Sequence, residues 1–399
     1  MTIDRARRRL SAAELNRATL DRQLLLGRAR LDPSSALRRI VAIQAQEAAS
    51  PYIALWNRLE SFDPADLDAA FAADQIVKAS LMRITLHAVQ RADHRRFQHA
   101  MLASLRGSGL NDDRFRQIGL SLTEIDGLVP DIVAFARTPR TNDQLRAFLE
   151  ERLGVRPGPG PWWALRRFAP LVHSPTGGPW SFGPRPAYRA APTRAAAGDP
   201  AAATQYLLRR YLEGFGPAGV GDMAQFSMLR GPVIREAVAA LGDRLVRFEA
   251  ADGSIVYDVR GGRIPDGDAP AAPRLMAMWD SVLLAYADRS RLIPAEYRAT
   301  IIRQNGDTLP TLLVDGHVAG VWRAVDGGIE ASAFHRLPDD AWEGLALEAR
   351  SLVAFLAGRD PAVYRRYGHW WTKLPRAEVR LLPGPESGSA ARPGLSGGC

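Results

Sequence analysis

Three times along the 399-residue chain, stretches with the helical spacing of apolar residues give way to strand-like sequence. The first repeat begins with Ser11 and Glu14, which match a capping box and predict a helix through about Leu26. Asp32 and Asp63 are each followed by a proline, so each predicts an N-cap and a first-turn proline for a further helix. The first repeat is therefore predicted to start with short, well-capped helices.

The strand-like part of the first repeat is residues 76–89 (IVKASLMRITLHAV), which alternate as a half-buried strand does. The second repeat predicts helices at 138–153 and 163–168, then two short strands around a Pro/Gly turn at 171–182. The third repeat predicts three helices and a hairpin that turns at Asp252-Gly253: residues 201–213, 219–226, 232–241 and 245–259. Helices followed by a strand pair are the order of a winged-helix unit, so three such units in tandem are predicted.

A stretch rich in Gly, Pro and Asp at 261–273 separates the third repeat from a β-rich C-terminal part that contains one predicted helix. The predicted organisation is three winged-helix units at 11–110, 111–195 and 196–265, a β-rich domain at 272–383 and a disordered tail at 384–399.

The charge favours an anionic partner, because 52 lysines and arginines face 43 acidic residues and give a formal net charge of +9. Lysine occurs only at Lys78 and Lys373, so almost all of the positive charge is arginine, which also serves as an ordinary surface residue. The single cysteine, Cys399, excludes an intrachain disulfide and a thiolate metal cage. No run of about 18 apolar residues is present, and the N-terminus lacks the apolar core of a signal peptide. A soluble cytoplasmic protein with no membrane partner is predicted.

Familiar catalytic signatures are missing from the sequence. It contains no phosphate-binding GxxxxGK[ST] loop, no HExxH motif and no G-x-S-x-G elbow. The 7 histidines are scattered, which favours surface or core roles over a metal site. Neither a metal nor an organic cofactor is predicted.

One continuous segment carries a family resemblance. Residues 43–59 read IQAQEAASPYIALWNRL, and residues 81–87 read LMRITLH. They resemble the AlkZ/YcaQ family of bacterial DNA glycosylases, whose members carry a Gln-Φ-Gln or Gln-Φ-Asp motif, a P-Y-x-x-L-W-x-R-L stretch and an R-x-T-L-H strand. The resemblance continues through residues 211–222 and 279–291 in the same order. It implies an α+β fold with three tandem winged-helix units plus a C-terminal β-barrel-like domain, forming a C-shaped body around double-stranded DNA.

The resemblance assigns catalysis to Gln44 and Gln46. Hydrolysis of an N-glycosidic bond passes through an oxocarbenium-like sugar, and the enzyme must place a water on its far face. Two amides can orient a water but are poor bases, so the leaving group must already be activated, as in a guanine alkylated at N7. Position 46 is a glutamine rather than an aspartate, and in this the sequence resembles the branch of the family that protects antibiotic producers from their own bulky DNA-alkylating products. The implied protein is a monomeric, monofunctional glycosylase that leaves an abasic site in DNA carrying alkylated purines.

Geometry sets a condition on this assignment. On a straight helix, residues 44 and 46 point about 200° apart, so both can face one substrate only if the helix ends before them. The alternative is that Gln44 continues the helical stripe of Leu37 and Ile40 as a hydrogen-bonded residue at the core edge, with Gln46 in solvent.

Further candidates for substrate or DNA binding are Asn57, Arg58, Arg83, Thr85, His87, Arg289 and Arg291. On the predicted strand, one face would carry Arg83, Thr85 and His87. These side chains would present donors to a phosphate or to the site, or they would form an ordinary exposed polar face. A buried capping role for Asn57 is an equal alternative, and a surface ion-pair cluster is the alternative for the two C-terminal arginines.

Two other functional classes fit the same sequence. Winged helices can act as transcription regulators or architectural proteins without catalysis, and regulators usually dimerise on palindromic sites. A protein that binds and sequesters bulky adducts would hold damaged DNA without releasing a base.

Overall fold

Side-chain caps fix half of the α-helix starts in the computed structural model, which describes residues 8–154, 159–192 and 198–385. Ser11 and Glu14 form the predicted capping box, and Asp32 and Asp63 cap the next two predicted helices. The first helix ends at Arg22 instead of about residue 26, because Leu24 adopts a left-handed backbone with φ 56°.

The α-helices of the described residues are α1 (Ala12–Arg22), α2 (Pro33–Ile40), α3 (Ser50–Trp56), α4 (Pro64–Ala72), α5 (Arg91–Leu110), α6 (Asp113–Arg116), α7 (Leu122–Phe135), α8 (Asn142–Leu153), α9 (Gly160–Phe168), α10 (Pro200–Phe215), α11 (Val220–Ser227), α12 (Gly231–Leu241), α13 (Arg298–Ile301) and α14 (Asp339–Ala357). The strands are β1 (Arg9–Leu10), β2 (Ile43–Gln44), β3 (Ile76–Ser80), β4 (Leu86–Gln90), β5 (Arg140–Thr141), β6 (Leu171–Ser174), β7 (Ala187–Ala190), β8 (Leu245–Ala250), β9 (Ile255–Val259), β10 (Arg274–Leu275), β11 (Thr311–Val314), β12 (His317–Val325), β13 (Gly328–Ala333) and β14 (Glu378–Pro383).

Two strand predictions are corrected by the structure. Residues 76–89 are not one strand but the antiparallel hairpin β3–β4, whose turn includes Arg83 and Ile84 at φ 53° and 60°. The partner of β6 is β7, not a strand ending at residue 182, and residues 175–186 form a loop. Four prolines in that loop remove backbone donors, so it cannot extend the β ladder.

The third repeat is confirmed element by element. Helices α10, α11 and α12 precede the hairpin β8–β9, and Gly253 at φ 83° supplies the left-handed position of its turn. The short strand β1 adds to this hairpin in parallel, in the order β1-β8-β9. The N-terminal segment is thereby attached to the third repeat rather than to the first.

The hairpins of the first two repeats form one six-stranded sheet in the order β2-β4-β3-β6-β7-β5. The joint is between β3 and β6, where Lys78 lies opposite His173. A boundary at residue 110 therefore divides segments that share a sheet, although each retains its own helices.

The C-terminal part is a five-stranded antiparallel sheet in the order β10-β11-β12-β13-β14. Helix α14 packs against both β10 and β14, the first and last strands of this order. Barrel-like closure, three winged-helix units and a C-shaped body remain predictions. The predicted tail lies outside the described residues from position 386 onward.

One apolar core connects all these layers and fixes the elements around the site. Phe355 of α14, for example, lies 6.3 Å from the ring of Trp56 and 6.2 Å from that of Trp180. Within the described parts of the chain, every helix is too short or too polar to cross a lipid bilayer.

Candidate active site

The Gln-x-Gln segment satisfies the geometric condition set by the sequence. Helix α2 ends at Ile40 because Val41 has φ 77°, and the chain then extends into β2. Gln44 is the last residue of β2 and Gln46 lies in the bend that follows, so the wide separation that a helix would impose on the two side chains does not apply. Gln44 is 3% exposed and Gln46 is exposed, and both line the same cleft.

Gln44 is oriented by an arginine from the β3–β4 turn. Its side-chain oxygen accepts a 2.6 Å hydrogen bond from Nη2 of Arg83, and its backbone N–H donates to Oγ of Ser281 at 2.9 Å. The carbonyl end of the amide is therefore occupied. The two N–H donors of Gln44 and both ends of the Gln46 amide have no partner among the described residues and remain available to a ligand.

His87 supports this arginine from the neighbouring strand. It lies directly opposite Gln44 in the β2–β4 pair, and its Nε2 is 3.1 Å from Nη2 of Arg83. Burial and the arginine charge hold the pKa of His87 well below its usual range, so the ring is neutral. With Nδ1–H donating to the backbone oxygen of Thr85 at 3.1 Å, Nε2 is the acceptor for Arg83.

Arg83 is held in an unusual environment for a guanidinium. It occupies a left-handed turn position rather than the strand face predicted for it, and it is half-buried. Burial and the nearby charge of Arg289 lower the pKa of Arg83 to about 9. Arg289 itself is half-buried, and both burial and Arg298 lower its pKa. Arg289 therefore lies within electrostatic range of Arg83, the residue that orients Gln44.

A cleft of about 820 Å³ is lined by Gln44 and Gln46. The hairpin tip contributes Ser80, Ile84, Thr85 and Leu86 to its wall, and Thr85 anchors the turn by donating to the Met82 carbonyl at 3.2 Å. Aromatic side chains line much of the remainder: Trp163, Trp180, Phe182, Tyr188 and Trp279.

Two carboxylates line the cleft, and both are already engaged. Glu47 accepts hydrogen bonds from Arg366 and from the hydroxyl of Tyr367. Asp307 accepts from Nε1 of Trp370 at 2.9 Å and from Asn305 at 3.0 Å. Across the described ranges, no three His, Cys, Asp or Glu side chains converge as metal ligands would.

The structure places Asn57 in its alternative role, as a buried residue that caps the end of α3, and it corrects the prediction for Arg58. Asn57 is fully buried and donates to the backbone oxygens of Ile53 and Leu275, the latter at 2.8 Å. Arg58 is 1% exposed and forms a two-pronged ion pair with Asp280 at 2.8 Å for each contact. Both side chains connect α3 to the C-terminal part of the chain instead of offering donors to DNA.

Arg291 is also occupied internally. It donates to the backbone oxygen of Pro217 at 2.9 Å and lies 4.3 Å from the ring of Tyr286. It is therefore a packing and bridging residue, unlike Arg289.

Several cleft residues were not predicted from the sequence. They are Lys78, His173, Arg166, Glu47, Asp307 and the aromatic residues of the wall. Lys78 carried a usable signal, because it is one of only two lysines in the chain and interrupts the apolar run of β3. Glu47 directly follows Gln46 in the chain, whereas the others come from the second repeat and the C-terminal part, and only the tertiary fold brings them to the Gln-x-Gln segment.

Comparisons with known proteins give the family and the fold. A family model described as "DNA glycosylase AlkZ-like" matches residues 37–355. A protein from Streptomyces sahachiroi, described as "Interstrand DNA cross-link repair glycosylase", is 25% identical over 346 residues, which are 81% of this chain and 91% of the relative. The solved structure of Streptomyces sahachiroi DNA glycosylase AlkZ superposes with a TM-score of 0.74 at 22% identity, covering 88% of this chain and 98% of that one.

Proposed function

The chain belongs to the AlkZ-like DNA glycosylase family, and on that premise we propose that it hydrolyses the N-glycosidic bond of N7-alkylated guanine in double-stranded DNA. The observation that carries the proposal is the presence of Gln44 and Gln46 in one cleft, with the first amide oriented by Arg83. In this proposal the enzyme is monomeric and monofunctional, needs no metal or organic cofactor and leaves an abasic site.

The two amides have different roles in the proposed reaction. Gln44 presents N–H donors, so it holds the oxygen of the attacking water, while the exposed Gln46 offers a carbonyl to one of the water protons. No strong base is required, because an N7-alkylated guanine departs as a neutral molecule from a cationic substrate. Neutral amides next to the sugar also avoid repelling the developing oxocarbenium, since the guanidinium of Arg83 lies behind Gln44.

The shape of the cleft supports a bulky substrate. Its volume of about 820 Å³ exceeds what a methylated guanine needs, and its wall is rich in aromatic side chains on which a planar adduct can stack. The Streptomyces sahachiroi relative is described as a cross-link repair glycosylase, which supports a cross-linked substrate as well. We therefore propose natural-product adducts or crosslinks as the substrates, and self-resistance to a genotoxic antibiotic as the biological role.

The proposal is tested by base release from two duplexes, one with N7-methylguanine and one with a bulky N7-guanine adduct, scored by strand breakage at the abasic product. Gln44→Ala and Gln46→Ala should each lower the single-turnover rate by at least about 100-fold, the usual cost of one transition-state hydrogen bond. Gln117→Ala, an exposed glutamine outside the cleft, is the matched control.

The outcomes separate the alternatives. Release of the bulky base with little release of methylguanine supports self-resistance, whereas equal release of both supports general alkylation repair. Tight binding without any release would favour a regulator or an adduct-sequestering protein. Wild-type rates in both folded glutamine variants would refute the catalytic roles of the two amides.

A further inference from the structure

A row of polar side chains crosses the six-stranded sheet on the side away from Gln44. Lys78 lies opposite His173, and His173 lies opposite Tyr188, so the three occupy adjacent strands at a spacing of about 4.8 Å. Gln44, His87 and Ala79 lie opposite one another on neighbouring strands and therefore share one face of the sheet. Ala79 follows Lys78 in the chain, so the side chain of Lys78 is on the opposite face. Both sides open into the same cleft around the hairpin tip.

Lys78 is a buried cation that has no ion-pair partner among the described residues. It is 5% exposed, and it makes no hydrogen bond or ion pair with the described residues. Its Nζ lies 4.5 Å from the ring centroid of Phe182, and burial lowers the pKa of Lys78 to about 8, an effect that the charge of Glu47 partly offsets. An ammonium group in this setting is costly unless a ligand supplies negative charge.

The groups beside Lys78 in this row do not neutralise it, because His173 is neutral and Arg166 is a second cation. Burial, then Lys78 and Arg166, depress the pKa of His173, which shows that the three groups lie within electrostatic range of one another. The guanidinium of Arg166 lies 3.8 Å from the ring centroid of Trp163. Burial raises the pKa of Tyr188, and the charge and hydrogen bond of Arg166 partly counter this rise. Within the described ranges, no carboxylate is at ion-pair distance from Arg166.

The carboxylates of the cleft are not available to this row. Glu47 is bound by Arg366 and Tyr367, and Asp307 is bound by Trp370 and Asn305. The convergent donors therefore call for an external oxyanion with several acceptor atoms, and in a protein that acts on DNA the abundant oxyanion is the backbone phosphate.

We propose that Lys78, His173, Tyr188 and Arg166 form a binding site for one backbone phosphate of the DNA strand whose nucleotide enters the cleft. This inference rests on the proposed function for the identity of the strand. The phosphate accepts from the ammonium and guanidinium groups and from the tyrosine hydroxyl, and the sheet fixes its distance from Gln44 and Gln46. The site thus sets the register of the strand, so that the glutamines meet one glycosidic bond.

The test is a binding cycle between a protein charge and a DNA charge. Duplexes with a stable tetrahydrofuran abasic analogue carry one neutral methylphosphonate at successive positions, and dissociation constants are measured for wild type and Lys78→Met. At one position the neutral linkage should weaken binding of wild type by about tenfold, the usual value of a charge-assisted hydrogen bond, and binding of Lys78→Met less than twofold. Lys373→Met, which replaces the exposed second lysine, should keep the full penalty there.

Additive penalties at every position would overturn the proposal. The cycle measures binding alone, so it is independent of catalysis. If the Lys78→Met penalty and the methylphosphonate penalty are non-additive at one position but the protein releases no base, the phosphate site is supported and the proposed glycosylase activity is refuted. Protection of Lys78 from an amine-acylating reagent distinguishes the source of the phosphate. Protection by the duplex but not by equimolar inorganic phosphate supports a backbone site, and equal protection by both overturns it.

Discussion

At the residue scale, the chemistry of the cleft depends on which end of each amide is free. Arg83 occupies the carbonyl of Gln44, and the neutral His87 keeps Arg83 in place by accepting from the same nitrogen. Gln46 has no such clamp among the described residues and can turn either end of its amide toward a ligand. An N–H donor from Gln44 and a carbonyl acceptor from Gln46 are together sufficient to hold the oxygen and one hydrogen of a water molecule.

Lys78 gives a prediction about stability against pH. The folded pKa of about 8 lies below the usual lysine value of 10.5, so between these values the unfolded chain binds more protons and stability rises with pH. Below pH 8 the full cost of the buried charge is present, about 3 kcal/mol for this difference in pKa. Lys78→Met should therefore unfold at higher urea than wild type at pH 7, and the advantage should shrink toward pH 10.

The difference between the two proteins isolates this effect, because other titrating groups contribute equally to both and cancel. Lys373→Met serves as the control, since its exposed side chain should change stability by less than about 0.5 kcal/mol at either pH. A constant difference between Lys78→Met and wild type from pH 7 to pH 10 would show that Lys78 titrates normally.

Sequence and structure agree that Gln44 and Gln46 can face one ligand, but the residues that support them differ from those predicted. The spacing of Gln44 and Gln46 could be read from the chain, but the end of α2 before them was left open by the sequence and depends on the φ of 77° at Val41. The burial of Arg58 could not, because its partner Asp280 is 222 residues away in sequence and an arginine on a short helix has no local mark of burial. Pairings of this range depend on the tertiary fold alone.

At the element scale, caps were predictable and strand pairing was not. The Ser11, Asp32 and Asp63 caps act through neighbours within three residues, so their sequence signals suffice. The period-2 pattern of residues 76–89 persists through the tip of a hairpin, so it cannot distinguish one long strand from two short ones. The second strand of the next hairpin was likewise predicted too early, within the loop at 175–186. The strand that pairs with β6 is β7, which begins only after two further prolines, Pro184 and Pro186.

The contact between α3 and the C-terminal part is predicted to carry a large, coupled stability term. Arg58 and Asp280 are each 1% exposed, so removing one partner leaves an uncompensated buried charge. Arg58→Met and Asp280→Ala should each lower the free energy of unfolding by about 3–5 kcal/mol. The double variant should lose clearly less than the sum of the two, as urea denaturation of all four proteins will measure.

The exposed pair Arg152 and Asp131 is the matched control, with side chains 58% and 34% exposed at 2.7 Å. Its single variants should change stability by at most about 1 kcal/mol. If the buried pair proved as weak as this one, or its two variants strictly additive, the contact would not hold α3 in place.

At the scale of the whole molecule, the sheets join segments that the sequence repeats suggest are separate. The first two hairpins share one six-stranded sheet, and β1, near the N-terminus, pairs with β8 of the third repeat. The cleft accordingly draws its wall from the first repeat, the second repeat and the C-terminal part. Such a site can only be assembled by the complete fold, so repeat counting predicts the elements but not the residues that meet.

The net charge of +9 gives the prediction that belongs to this scale. Each phosphate that a protein neutralises releases condensed counterions, so the logarithm of the DNA association constant should fall linearly with the logarithm of salt concentration. Titrations between about 50 and 200 mM NaCl measure the number of contacts as the slope. Lys78→Met should reduce the magnitude of the slope by about one, because it deletes one contact, while the uncharged exchange Gln117→Ala should leave it unchanged. Equal slopes for wild type and Lys78→Met would mean that the buried lysine meets no phosphate, and that other basic residues supply the charge which holds the DNA.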